Sequence, residues 1–192
     1  MGKVIFDISM SLDGFITGPN DNHEQPLGEG GERLHEWIWK GTTDDLMQGG
    51  TVAATGAVVS GRRTYDLVDG WSGSHPLHGV PVFVLSHNVP KKVPQGESAF
   101  TFVTNGVESA IKQAKTAAGD KNVYVVGGAN VAQQCIKSGL LDEMRIHIVH
   151  VLFGGGIRLF DHLGANQIEL ESTRVIEAPD VTHLRFRVVK EN

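Results

Sequence analysis

Asn122-Val123-Tyr124-Val125-Val126-Gly127-Gly128-Ala129-Asn130 reads as a buried strand that runs into a glycine turn and opens a helix. Val123, Tyr124, Val125 and Val126 are β-branched or aromatic and uncharged, as suits a central strand covered on both faces. Gly127 and Gly128 carry no side chains, so a ligand can approach the backbone closely. From Ala129 the composition predicts a short helix stopped by Gly139. The first N–H groups of such a helix have no internal partner and carry the positive end of its dipole, so a phosphate is the expected guest. Strand, Gly-Gly and helix also make plain α/β connections, and this stretch alone leaves both readings open.

Working outward, the neighbouring segments repeat the pattern. Lys3–Ser9 alternates, with Val4, Phe6 and Ile8 on one side and Ile5, Asp7 and Ser9 on the other, and predicts a first strand. Further strands are predicted at Ala57–Ser60, Val80–Leu85, Phe100–Val103 and Glu143–Phe153, the last ending in Gly154-Gly155-Gly156. Helical spacing of Leu34, Trp37, Ile38 and Leu46 runs from Glu32 to about Met47, with a break expected at Gly41–Asp44. Shorter helices are expected at Thr64–Val68 and Val107–Ala118. Ile168–Ile176 and Thr182–Val189 alternate around Ala178-Pro179-Asp180, the pattern of a terminal antiparallel hairpin. Strands alternating with helices, then strands alone, predict one α/β domain over residues 1–192 with a mixed, mostly parallel sheet.

The totals fit that domain. The chain has 192 residues, 40% hydrophobic and 20% charged, the balance of a soluble globular protein. A net charge of −5 argues against a general nucleic-acid binder, although it leaves room for a local basic pocket. Cys135 is the one cysteine, so no internal disulfide and no cysteine-built metal site is possible. The N-terminus has no long apolar run, so neither a signal peptide nor a membrane span is expected, and the reading is cytoplasmic.

Three strand ends carry phosphate-friendly chemistry. Ser60-Gly61-Arg62-Arg63-Thr64, Leu85-Ser86-His87-Asn88 and Val126-Gly127-Gly128-Ala129-Asn130 each follow an apolar strand, and parallel strands bring their ends to one side of the sheet. Arg62 and Arg63 offer forked, always-charged donors, Thr64 and Ser86 offer hydroxyls, and the glycines offer bare N–H groups.

These motifs carry a resemblance. Gly61-Arg62-Arg63-Thr64-Tyr65 resembles the Gly-Arg-x-Thr-aromatic turn of dihydrofolate reductases. Pro76-Leu77-His78-Gly79, the strand to Leu85, and Ser86 keep that family's order, and Val125–Ala129 matches its apolar–Gly-Gly turn. Ser11-Leu12-Asp13-Gly14 and Phe153–Phe160 are closer to the C-terminal reductase domain of bacterial riboflavin biosynthesis (RibD), which shares the fold. The resemblance implies the three-layer α/β/α dihydrofolate reductase-like fold, an NADPH groove and a homodimer. It implies that Arg62 and Ser86 hold the adenosine 2′-phosphate, with Arg63 or His87 assisting. Gly61 and Thr64, with the Gly127-Gly128-Ala129-Asn130 turn, would hold the pyrophosphate, and Ser9, Met10 and Ile16 would lie near the nicotinamide. The reaction implied is reduction of a heterocyclic or ribosylamino substrate, as in the 5-amino-6-(5-phosphoribosylamino)uracil reductases. A dihydrofolate or pterin reductase is an alternative. The Pro-Trp that precedes the first helix of dihydrofolate reductases is missing, which argues against folate. A non-catalytic NADPH-binding protein is an alternative of another class.

On the substrate side the candidate catalytic carboxylates are Glu32, at the predicted helix start, and Asp7, in an otherwise apolar strand where a carboxylate needs a partner or a function. Asp13 lies in a turn and can organise Gly14. Trp37 and Trp39 can stack on a flat ring or pack in a core or interface, and Trp71 can line the cleft or meet a partner. Gly154–Gly156 is read as a bulge, a tight corner or a phosphate site. No metal is expected. His75 and His78 lie in a loop with no further ligand at zinc spacing, and His147 and His150 point to opposite faces of their strand.

Overall fold

β-branched runs pair side by side to form one eight-stranded sheet in the computed structural model, which describes residues 2–40 and 49–190. In chain order the strands are β1 (Val4–Ser11), β2 (Thr55–Gly61), β3 (Val82–Leu85), β4 (Phe100–Val103), β5 (Asn122–Val126), β6 (Glu143–Val149), β7 (Leu170–Ala178) and β8 (Val181–Val188). The α-helices among the described residues are α1 (Glu36–Trp39), α2 (Gly49–Ala54), α3 (Arg62–Leu67), α4 (Val107–Ala118) and α5 (Ala129–Lys137). Across the sheet the order is β4-β3-β2-β5-β1-β6-β8-β7. Every pair from β4 to β6 is parallel, and β8 pairs antiparallel with both β6 and β7. The strand β5 is central, with Val123 opposite Val4 on one side and Tyr124 opposite Val58 on the other.

Strand alternation sorts the core into two faces. Val4, Phe6, Val59 and Val125 pack against α4 and α5 through Ala110, Ile111, Ala114, Val131 and Cys135. Ile5, Val58, Val84 and Tyr124 pack on the other face with Tyr65 of α3, joined by Trp71, Phe100 and Phe102. A smaller cluster of Leu34, Trp37, Val149 and Val181 covers the antiparallel end. The result is the three-layer α/β/α arrangement with a mixed, mostly parallel sheet. Burial of Cys135, with Glu108 nearby, pushes its thiol up to about 12, so it is an inert core residue.

Three expectations about elements are corrected. The strand β6 stops at Val149 rather than Phe153. Beyond it the backbone is claimed by the turn after β1: Leu12 N–H donates to the Val151 carbonyl, and the N–H groups of Phe153 and Gly154 donate to the Asp13 carboxylate. Gly154–Gly156 is the tight corner this requires, since a Cβ on Gly156 (φ 123°) would sit 2.0 Å from the Thr17 carbonyl oxygen. The helix predicted from Glu32 is instead a 3-10 turn, Gly31–Leu34, followed by the four-residue α1. Gly28 and Gly30, both with positive φ, wind the chain into that turn. The expected break at Gly41–Asp44 and the restart through Leu46 and Met47 lie outside the described residues. Finally, α3 starts at Arg62, two residues before the predicted start, so both arginines project from its first turn.

Candidate active site

The carboxyl ends of β1, β2, β3 and β5 open on one edge of the sheet, as parallel pairing demands. Two cavities lie along that edge. The larger, about 650 Å³, runs between Ser86–Asn88, Gly106 and the start of α5. The smaller, about 330 Å³, runs between Asp7, Ser9, Ile16, His35, Trp37 and His147. Arg63, Thr64, Gly128 and Ile157 border both, so they form one groove.

At the wide end Arg62 ties two strand ends together. Its Nη1 donates to Ser86 Oγ at 3.0 Å and to the Asn88 carbonyl at 3.0 Å, while its Nε donates to Asp66 at 2.8 Å. Ser86 in turn donates to the Asn88 carbonyl at 2.6 Å and closes the loop after β3. His87 is exposed beside them on the cavity wall. Arg63 is turned the other way, and its Nε and Nη2 meet Asp21 Oδ2 at 3.0 and 2.7 Å.

The junction is built on Thr64. Its hydroxyl accepts the N–H of Gly128 at 3.0 Å. Gly127 has φ 96°, and a Cβ there would lie 2.6 Å from the same oxygen. Of the two glycines, therefore, Gly128 has its N–H engaged by Thr64 rather than bare. The turn leaves α5 without a side-chain cap, so the open N–H groups at the groove are those that follow, at Ala129 and Asn130.

The narrow end is aromatic and ionisable. Asp7 Oδ1 lies 3.0 Å from His147 Nε2, and both side chains are 7% exposed. His147 Nδ1 lies 2.7 Å from His183 Nδ1. The Trp37 ring packs on both imidazoles at 4.8 Å, and its N–H donates to Ser9 Oγ at 3.2 Å and to the Leu34 carbonyl at 3.0 Å. Burial pushes the Asp7 carboxyl up, but His147, Tyr124 and Arg145 outweigh it, and the net shift is downward. Burial, helped by His147, lowers His35. The same two causes bring His183 to about 4, burial leading.

Most of the predicted site residues meet here. Gly61, Arg62, Arg63, Thr64, Ser86, His87, Gly128, Ala129 and Asn130 border the wide cavity, and Asp7, Ser9, Ile16 and Gly127 border the narrow one. Two do not. Met10 lies on the Val4–Phe6 face of β1 and is buried in the main core. Glu32 is exposed on the 3-10 turn and borders neither cavity, because that turn is not the long helix its spacing implied. Trp39 is 69% exposed, and Trp71 packs on His75 and Phe100 in the core rather than lining the groove. Asp13 serves the corner: it accepts from Ser11 Oγ and from the N–H groups of Phe153 and Gly154, which hold its pKa at about 2. His35, and the placing of His147 and His183 in line with Asp7, escaped the sequence reading. Their signal was parity: His147 falls on the Ser9 side of its strand once β1 and β6 are in register. Among the described residues no group of three or more His, Cys, Asp or Glu side chains is arranged to hold a metal ion, and no helix is long and apolar enough to cross a membrane.

Sheet order, central glycine turn and edge groove define a mixed α/β protein of the dihydrofolate reductase-like fold. The model of the RibD C-terminal domain matches residues 2–184, and the chain belongs to that family, which is of the RibD reductase type. Among relatives, YyaP of Bacillus subtilis is 28% identical over 168 residues, covering 82% of this chain and 80% of its own. A riboflavin-biosynthesis-type protein of Shewanella sp. PV-4 superposes with a TM-score of 0.71 at 24% identity, covering 99% of this chain and 100% of that one. Dihydrofolate reductase of Enterococcus faecalis, solved with NADP(H), gives a TM-score of 0.61 at 14% identity, covering 98% of each chain.

Proposed function

We propose that the protein is an NADPH-dependent reductase of the riboflavin-biosynthesis type, acting on a heterocyclic or ribosylamino substrate like that of the 5-amino-6-(5-phosphoribosylamino)uracil reductases. The observation that carries the reading is the continuity of the groove, from the Arg62–Ser86 contact, past the uncapped start of α5, to the Asp7–His147 contact. The donor set fits the dinucleotide. A cation and a hydroxyl within 3.0 Å of each other suit a 2′-phosphate, and the first N–H groups of a nine-residue helix suit a pyrophosphate.

When bound, NADPH supplies the hydride. The chain's own part is to hold and exclude. Arg62, Ser86 and His87 anchor the phosphate end, while Thr64, Ala129 and Asn130 fix the middle. Ser9 and Ile16, with Trp37, confine the reacting end against Asp7 and His147. Most of the rate then comes from placing donor and acceptor in contact in a water-poor cavity. Assembly as a homodimer in the cytoplasm belongs to the same proposal, and the exposed Leu170 and Val175 on the edge strand β7 support it.

Titration with NADPH, followed by nicotinamide fluorescence, tests the cofactor assignment. Saturable binding is expected, and Arg62→Ala should weaken it by about 10- to 150-fold, the worth of one charge-assisted contact at roughly 1.5–3 kcal/mol. NADH, which lacks the 2′-phosphate, should lose far less. Absence of saturable binding, or an equal loss for both dinucleotides, would sink the assignment. Dihydrofolate offered as a second acceptor separates the riboflavin-type reaction from a folate reductase, and NADPH binding without oxidation by any acceptor favours a non-catalytic binder.

A further inference from the structure

We propose that Asp7, His147 and His183 form a proton line serving the acceptor in the narrow cavity, with Asp7–His147 as the donating pair and His183 as the positioning residue behind it. The proposal rests on the reductase reading above. Three adjacent strands build the line. His183 is the direct cross-strand partner of His147 between β8 and β6, and His147 sits opposite Ser9, two residues along β1 from Asp7. Asp7 and His147 border the cavity, whereas His183 does not.

The contacts run in series: Asp7 Oδ1 to His147 Nε2 at 3.0 Å, then His147 Nδ1 to His183 Nδ1 at 2.7 Å. His183 Nε2, at one end, is buried with no hydrogen-bond partner, and Asp7 Oδ2, at the other, is buried with only the Tyr124 hydroxyl beside it. Buried polar atoms are satisfied almost everywhere in folded proteins, so the orphaned His183 Nε2 at the end of a chain of contacts that reaches the cavity points to a function.

Donor and acceptor counting fixes the tautomers. With Asp7 ionised, His147 must carry its proton on Nε2. Its Nδ1 is then an acceptor, so His183 must carry its proton on Nδ1 and leave Nε2 bare. Adding one proton makes His147 a double donor. His183 must then accept at Nδ1 and carry its own proton on Nε2. The surroundings favour one added proton and not two. Arg145 and Arg185 flank the line from β6 and β8, Tyr124 faces it from β5, and His35 faces it from the turn before α1. The depressed His183, at about 4, agrees.

Reduction of a C=N or C=O bond takes a hydride at carbon and a proton at nitrogen or oxygen. The hydride comes from the dihydronicotinamide, which is oxidised to the nicotinamide cation. The bond's electron pair moves to the heteroatom, which takes one proton from the Asp7–His147 pair. The pair is left as carboxylate and neutral imidazole, and solvent restores the proton.

Nitrogen-15 NMR of histidine side chains across a pH titration of the whole protein tests this without a substrate. At the alkaline end, His147 should be the Nε2–H tautomer and His183 the Nδ1–H tautomer. As His147 becomes doubly protonated, His183 should switch to Nε2–H in the same step. Asp7→Asn should move that step at least about tenfold in proton concentration, the scale of one lost close charge. His183→Gln should remove the coupled switch while the step at His147 persists. The opposite tautomers, independent titration of the two rings, or an unmoved step in Asp7→Asn overturns the proposal. NADPH fluorescence on the same samples reports the cofactor separately, so failed binding with an intact switch is distinguishable from a failed line.

Discussion

Replacing Thr64 by valine keeps its shape and removes one oxygen, the acceptor of the Gly128 N–H at 3.0 Å. That N–H is partly buried, and Gly127 before it is held at φ 96° with Thr64 packed against it. A buried donor left unsatisfied costs about 1–3 kcal/mol. For a chain of this length each kcal/mol is worth roughly 2–4 °C, so thermal unfolding should fall by about 2–12 °C. Because Gly128 positions the start of α5, NADPH should also bind more weakly, by about 5- to 30-fold for 1–2 kcal/mol. Thr64→Ser keeps the oxygen and should keep most of both. Differential scanning calorimetry and fluorescence titration on the three proteins read the two effects. Tighter NADPH binding in Thr64→Val would refute the reasoning, because it would mean the hydroxyl withholds an N–H that the phosphate prefers.

Gly127→Ala should lower stability by at least about 1–2 kcal/mol, the cost of a side chain in left-handed backbone. A Cβ 2.6 Å from Thr64 Oγ1 adds to that cost, and chemical denaturation measures the total. Asp13, whose pKa is lowered to about 2, should stabilise the Phe153–Gly154 corner above pH 4 and lose that contribution as the pH falls through its folded value. Acid-unfolding curves of the wild type and Asp13→Asn should accordingly be separated at neutral pH and converge near pH 2. Asp7→Asn should cut acceptor-dependent NADPH oxidation by about 10²–10⁴-fold, the usual worth of a positioned proton donor. NADPH affinity should be retained, and steady-state kinetics beside the binding titration would show whether it is.

Much of the fold is written in local pattern. Val107–Ala118 and Phe100–Val103 come out as predicted, because a helical stripe ending at Gly119 and a short apolar run need no distant information. The Arg62–Ser86 contact was legible because each residue follows its own strand directly, and parallel neighbours bring those ends together. What was illegible depends on register or on backbone sign. The apolar spacing after Glu32 looks helical, while the positive φ of Gly28 and Gly30 bends the segment into a 3-10 turn. Met10, expected near the nicotinamide, shares the parity of Val4 and Phe6 and lies with them in the core. The pairing of His147 with His183 spans 36 residues and exists only because β6 and β8 align antiparallel in one register. A one-residue slip would send His183 to the other face.

The central claim is that one groove binds NADPH in a single direction, from Arg62 to Asp7. The most direct measurement is a crystal structure with bound NADP⁺. The account predicts the 2′-phosphate on Arg62 and Ser86, the pyrophosphate at the start of α5, and the nicotinamide between Ser9, Ile16 and His147. A dinucleotide bound in the reverse direction, or away from the start of α5, would contradict it.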